Sequence, residues 1–352
     1  AIYPPFLTAK GIILGILNGR LSTGLHLGTI YPRFSKNTDR FYKLLAAMVV
    51  ITLEISVMIG VFSMVFGTLF WNLTIAHFLE VLVVILATMA LGTALFFFSS
   101  NFAFFFFKKG LDPDTVVHPI CNTIADIFIT LCYVLTLSLF FLFGLSGKIV
   151  VTILALILIV WALYILSKNV HETEFVRTIK ETFPALIIMA FIVNVTGTFL
   201  REIHETVEAR PEIFVVYPAV IDMMEDVGAI VGSTATTKLA LGTLKPHFSE
   251  IRNHVQEIFA AWMPTLFYYT IYSALALAIT GLFSFSLFLN FTSLLLMANI
   301  LAVSGIALIS YTVAVLTFKK GLDPDNFVIP IESTLADSLT TIALFIALLL
   351  IV

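Results

Sequence analysis

Long apolar stretches separated by short polar ones set the pattern of this chain. The stretches 44–70, 75–107, 149–166 and 262–289 each approach or exceed the ~20 predominantly apolar residues that a helix needs to cross a ~30 Å hydrocarbon core. Inside lipid a backbone has no water to bond to, so only helices or a closed barrel can span. These runs are too long and too continuously apolar for the alternating strands of a barrel. The pattern therefore predicts an all-α, polytopic membrane bundle. Its helices fall near residues 7–28, 42–70, 75–107, 116–144, 149–166, 184–200, 214–242, 256–282, 286–317 and 327–351.

The polar interruptions repeat. Lys108, Lys109, Gly110, Leu111, Asp112, Pro113 and Asp114 recur as Lys319, Lys320, Gly321, Leu322, Asp323, Pro324 and Asp325. At equal spacing each copy is followed by Pro119 or Pro330, Thr123 or Thr334, and Asp126 or Asp337. An earlier block also matches: Leu27, Gly28, Thr29 and Pro32 align with Leu241, Gly242, Thr243 and Pro246. A repeat of this length makes the fold two copies of one unit.

The second copy owns the last five helices. The first owns the first four, so a missing N-terminal helix is expected, giving 11 in all against about 10 in the chain. The helix near 149–166 has no counterpart. A five-helix unit ends on the side opposite its start, and one added crossing restores a parallel arrangement about a pseudo-twofold axis along the membrane normal. This predicts a first repeat over 1–146, a linker helix over 147–170 and a second repeat over 171–352, functional as a monomer. Of the 19 Lys and Arg, most fall in the loops of one side, from Arg33 to Lys320, while Lys148, Arg201 and Arg210 mark the other. The bias makes the first side cytoplasmic, which puts both Asp-Pro-Asp turns inside and the C-terminus outside a cell membrane.

Composition narrows the function. The apolar share is 60% and the charged share 12%, against roughly 45–50% and 25% for an ordinary soluble domain. A net charge of −3 offers nothing to nucleic acid. Every acid inside a span is costly, at about 2.5–3.5 kcal/mol on insertion scales, and is a functional candidate by default. Asp126 and Asp337 lie roughly 11 residues past their turns, hence ~16 Å deep at 1.5 Å per residue. Equivalent in the two repeats, they are expected to face one another, where two carboxylates repel unless a cation sits between them. Hard oxygen donors suit Mg2+, Mn2+ or Ca2+, and Mg2+ is commonly held by one or two carboxylates with waters retained. Thr123 and Thr334 share a helical face with these acids and are expected to bind the ion's waters. Asp222, Glu225 and Asp226 form a second acidic cluster at similar depth. The first repeat has Thr8, Gly11 and Ile12 there, with Lys10 adjacent, so Lys10 is expected near the acids in place of one of two symmetric ion sites. Glu54, deep in its own helix, is a further candidate. Asp112, Asp114, Asp323 and Asp325 are expected to start helices and to make an acidic cytoplasmic mouth.

Other signals carry less. Cys121 and Cys132 share one helix and read as packing residues. Asp112 to Val116 formally matches a phosphatase nucleophile loop, but no strand precedes it and no soluble α/β domain surrounds it. Asn72 and Asn290 fit the glycosylation pattern in loops that hug the membrane. The outer Glu202, His204, Glu205, Glu208 and Glu212 read as a solvated helix end, His26 as packing, and the Phe-rich run 96–107 as lipid or packing surface.

The doubled set of Leu111, Asp112, Pro113, Asp114, Pro119, Thr123 and Asp126 resembles the last-helix signature of the MgtE and solute carrier family 41 magnesium transporters. Lys10 and Gly11, followed by Gly19, Arg20, Leu21, Ser22 and Thr23, resemble a second-helix motif of the latter branch. The resemblance covers nearly the whole chain. It implies Mg2+ transport, with Asp126 and Asp337 at the pore. The expected activity is divalent cation transport through a site between the repeats, with Na+- or H+-coupled exchange as the alternative and a membrane-embedded enzyme disfavoured. The expected partners are the lipid bilayer and the transported cation: Mg2+, with Mn2+ or Ca2+ as alternatives and Na+ as a possible coupling ion. The second repeat departs from the family's glycine- and asparagine-rich pattern at Asp222, Met223, Met224, Glu225 and Asp226.

Overall fold

The computed structural model describes residues 3–70, 74, 77–207 and 210–351. Asn72 and Glu208, and the side chains of Glu202, His204 and Glu205, lie outside what it describes. Among the described residues there are eleven α-helices and no strand: α1 (Tyr3–His26), α2 (Asp39–Phe70), α3 (Phe78–Gly92), α4 (Leu95–Lys108), α5 (Pro113–Leu142), α6 (Gly144–Asn169), α7 (Thr173–Val207), α8 (Pro211–Ala240), α9 (Val255–Ile279), α10 (Phe285–Lys319) and α11 (Val328–Ile351). The ten helices read from sequence are all present, one of them broken into α3 and α4. Seven spans among the described residues are long and apolar enough to cross a membrane, with α3 and α4 counted as one. The chain is a multi-pass membrane protein.

The chain divides into two compact units, Ala1–Asn194 and Val195–Val352. In the first, α1 packs against α2, α4 and α5, while α3 contacts α2, α5 and α6. In the second, α8 packs against α9, α10 and α11. Helices α1, α7 and α8 are the ones richer in polar and small residues. Yet α1 from Thr8 onward and α8 from Val220 onward are buried nearly all round, with Ile12, Leu17 and Leu21 fully covered on α1 and Val220, Met224, Val231 and Ala235 on α8, while Phe214 and Val215 at the start of α8 are exposed. The most apolar helix, α6, does the reverse and exposes Ile153, Leu156, Ile157, Val160 and Leu163. Lipid tails are as apolar as these side chains and do not drive them inward, so polar helices take the centre and apolar ones face the bilayer.

The turns keep the repeat at atomic level. α1 ends on Gly28 (φ 68°) and α8 on Gly242 (φ 72°), a left-handed conformation that glycine adopts without a Cβ clash. Ile30 N donates to Gly24 O at 3.0 Å, and Leu244 N to Lys238 O at 3.2 Å, so both ends close with the same six-residue loop. The second pair is Gly110 (φ 76°) and Gly321 (φ 69°). There Leu111 N bonds to Phe106 O and Leu322 N to Thr317 O, each at 3.1 Å. Asp112 then caps α5 by accepting from Asp114 N at 3.0 Å, and Asp323 accepts from Asp325 N at 3.3 Å. This satisfies a backbone donor that a helix start would leave open, while Pro113 and Pro324 take the first position, where no donor is lost. In the second copy a 3-10 turn, Pro324–Asn326, comes between the cap and α11.

Two boundaries differ from the sequence reading. α7 begins at Thr173, not near residue 184, and carries Pro184 inside it. Its front turns are amphipathic: Phe175, Thr178 and Thr182 are buried in the first unit, Arg20 Nη1 donates to Thr178 Oγ1 at 2.6 Å, and Lys43 pairs with Glu172 at 2.7 Å. That packing outweighs the local polarity that had read as a loop. The other difference is the break at Thr93 and Ala94 between α3 and α4, where α10 runs on unbroken.

The α5–α6 hairpin gives a direct test of this packing. A Cβ on Gly147 would lie 1.8 Å from the carbonyl oxygen of Leu139, a backbone atom that cannot swing aside. Gly147→Ala should lower stability by about 1–3 kcal/mol, the usual range for overpacking, read as a reduced thermal midpoint in detergent.

Candidate cation site

In the first unit the conspicuous buried charges meet each other. The Lys10 ammonium lies 2.6 Å from Asp126 Oδ1, with the lysine side chain 3% and the aspartate 29% exposed. It also reaches the Asn122 carbonyl at 3.5 Å. Both acceptors sit on α5, so a single helix-to-helix contact neutralises the acid read from sequence as one of two aspartates holding a cation between the repeats. The carbonyl of Asp126 is engaged by Thr130 Oγ1 at 2.6 Å. Thr123, one turn earlier, is exposed. Beside Lys10, at the break between α3 and α4, lies a small pocket lined by Thr52, Gly92, Phe96 and Ile129 among others. Lys10, expected near the acids of the second repeat, pairs with Asp126 of its own unit.

The second unit holds more acid at the corresponding level. On α8, Glu225 is 9% and Asp226 5% exposed, while Asp222 is half-buried. Facing them on α11, Ser333 Oγ donates to Glu225 Oε1 at 2.7 Å. Asp337 is half-buried, and its carbonyl accepts from Thr341 Oγ1 at 2.6 Å. Thr341 Oγ1 in turn is 2.6 Å from the Tyr217 hydroxyl, and the Asp337 charge acts on that phenol. Tyr272 of α9 lies within the field of Asp222 and Asp226. Thr334 is buried and its hydroxyl donates to Pro330 O at 2.7 Å. The structure therefore brings Glu225, Asp226 and Asp337 into one electrostatic neighbourhood between α8 and α11, with Asp222 on the side of α8 toward Tyr272 of α9.

The sequence reading passed over a fifth acid. Glu332 on α11 is 1% exposed, and the charges of Glu225, Asp226 and Asp337 all act on it. The general rule that an acid within a span is a candidate would have found it. It was missed because its counterpart in the first copy is Cys121, so it stands outside the matched motif.

The remaining candidates lie elsewhere. Glu54 on α2 is half-buried, and its Oε2 has no hydrogen-bond partner. Glu212 is buried and paired with Arg210 at 2.8 Å, so it is not the solvated end expected. At the first Asp-Pro-Asp turn, ligand atoms of His26, Asp112 and Asp114 lie within 4.8 Å of one another. His26 Nδ1 is 2.9 Å from Ser22 O, which fits donation there and leaves Nε2 facing Asp112 at 3.8 Å. His26 also packs edge-on against Phe107, so the packing role expected of it is only part of its setting. At the second turn Asp325 is buried and Asp323 half-buried, with Ala240 in place of the histidine.

Removing the ammonium should expose its role. Lys10→Met, which installs the residue found at Met224, strands Asp126 and should destabilise the first unit. Breaking a fully buried pair costs about 3–5 kcal/mol, and partial exposure of Asp126 places this loss at or below the lower end. Thermal unfolding should show Lys10→Met reduced, Asp126→Asn added to it restoring most of the loss, and millimolar Mg2+ raising the single variant more than wild type.

The sequence profile of the MgtE family, described as divalent cation transporters, matches residues 3–136 and 217–347. No curated protein and no solved structure gives a match. The two matched segments cover most of the chain and carry both acidic last helices, α5 and α11. The chain belongs to the MgtE family: it is a membrane transporter of divalent cations, not an enzyme.

Proposed function

We propose that the transported ion is Mg2+ and that it passes at the interface of two parallel repeats, 1–146 and 171–352, joined by the linker helix over 147–170. In this reading the chain works as a monomer with a pseudo-twofold axis, its Asp-Pro-Asp turns cytoplasmic and its C-terminus outside. Asp222, Glu225, Asp226 and Asp337 meet the ion. Asp126 lines the same path with its charge offset by Lys10. Thr123 and Thr334 serve the ion's waters, and Asp112, Asp114, Asp323 and Asp325 draw cations to the mouth. Glu54 contributes a further acid on the first side.

One observation carries the reading: buried and half-buried carboxylates gather between α8 and α11, while at the matching level of the first unit an ammonium already holds the acid. Acids taken out of water need a positive charge or a proton. Hard oxygen donors with hydroxyls nearby favour a hard dication that keeps part of its hydration shell. The lone lysine makes the repeats unequal and concentrates the ion's ligands in the second. These acids outnumber the two charges of one dication, and that excess favours exchange against Na+ or H+ as the second reading.

Purified protein in liposomes tests this by Mg2+ flux, with and without an opposing Na+ gradient. Wild type should conduct Mg2+, and Asp337→Asn should cut the flux about tenfold or more, the scale of losing a metal-site group. Dependence on the Na+ or proton gradient would select the exchanger. Absence of Mg2+ flux in wild type while another divalent ion moves would overturn the choice of Mg2+.

A further inference from the structure

Glu332 is the most deeply buried acid between α8 and α11, and neither of its carboxylate oxygens has a hydrogen-bond partner. An ionised carboxylate in that position is among the most costly groups a helix bundle can hold. Its surroundings explain how it fits but not what satisfies it. A Cβ on Gly228 would lie 2.2 Å from Glu332 Oε1 and 2.5 Å from Cδ. The carboxylate thus occupies the very space a side chain on α8 would fill. One turn on, Gly232 receives Val328 of α11 in the same way, at 2.2 Å. The two glycines, spaced four apart, let the helices approach closely and bring the carboxylate against the backbone of the helix that carries Glu225 and Asp226.

The first copy inverts this arrangement. The counterpart of Gly228 is Leu14 and that of Glu332 is Cys121, both buried and apolar. The counterpart of Met224 is Lys10, which supplies its own positive charge. So three exchanges go together. Where the first unit has a lysine, a leucine and a cysteine, the second has a methionine, a glycine and a glutamate. The first set fills and neutralises the position, and the second opens it and adds negative charge.

We propose that Glu332 is a direct ligand of a divalent cation, completing with Glu225, Asp226 and Asp337 a carboxylate site on α8 and α11. Gly228 is the residue whose missing side chain admits that ligand. The proposal rests on the transport reading above and adds to it a ligand that the repeat motif does not contain. The chemical class is a hard dication, Mg2+ or Mn2+, because every donor is a carboxylate or hydroxyl oxygen. Glu332 brings a charge with no bond to give up, and its gain on binding is correspondingly large. Lys10 plays the reciprocal part in the first unit and keeps that position from holding a second dication.

The experiment measures Mg2+ and Mn2+ binding by calorimetry on the purified full chain. Variants are Glu332→Gln, which keeps shape and removes charge, and the paired Gly228→Leu with Glu332→Cys, which installs the first-unit residues. Both should weaken binding by about 10- to 100-fold, the range seen when a metal site loses a supporting group, and a direct ligand should lie at the upper end. Without metal, Glu332→Gln should unfold at the same or a higher temperature than wild type. Unchanged affinity in folded Glu332→Gln overturns the proposal and leaves the transport reading standing. Wild type that binds no divalent ion overturns the transport reading itself. Should the variants not fold, wild type decides: an apolar carbodiimide should label Glu332, and Mg2+ should suppress the labelling. Labelling that Mg2+ does not alter overturns the assignment.

Discussion

A charge removed from water inside a helix bundle must be met by an opposite charge, and most of this structure follows from how each half meets that demand. Charged residues make up only 12% of the chain, and several of them sit on the two most enclosed helices, α1 and α8. In the first unit the demand is met within the protein, by an ammonium on α1 against a carboxylate on α5. In the second, α8 and α11 bring together acids whose mutual repulsion would disfavour their common burial. The first arrangement is complete in itself. In the reading proposed above, the second receives the divalent cation that the family transports.

The frame that holds these charges is the same in both halves. Glycines with positive φ end the corresponding helices, and the corresponding aspartates cap the last ones. Because the turns fix where each helix starts and stops, residues at equal repeat positions take equivalent places along the helices of their own units, and a few side chains set the difference between the units. Leu14 against Gly228 and Cys121 against Glu332 are the clearest cases. Volume removed from one helix reappears on its neighbour, which keeps the interior filled while its charge changes.

Much of this was legible in the sequence. Apolar length located every helix, because in a membrane bundle the backbone has few alternatives, but it did not separate α3 from α4. The start of α7 was not legible, since the turns around Phe175 and Thr178 are polar by composition, and only the fold shows that Phe175, Thr178 and Thr182 are buried. The break at Thr93 and Ala94 was hidden in a continuous apolar run. Among the site residues, Asp126 and Asp337 stood out because they repeat. Lys10 was recognised as unusual, but its partner was not, because spacing along α1 gives no information on which side chain of α5 will lie opposite. Glu332 went unread for the opposite reason to Asp337: attention to what the copies share passes over what only one of them has. His26 was judged against Ala240, and only the folded turn brings it beside Asp112 and Asp114.

The ion pair between Lys10 and Asp126 has a consequence for how such a chain is assembled. In a transporter built from two identical subunits, every substitution is made twice, and a lysine placed in one half appears in the other. Joining both copies in one polypeptide removes that obligation. One copy is then free to carry a buried lysine while its twin carries acids, and neither change is imposed on the other. Covalent linkage here does more than keep the halves together: it allows them to diverge.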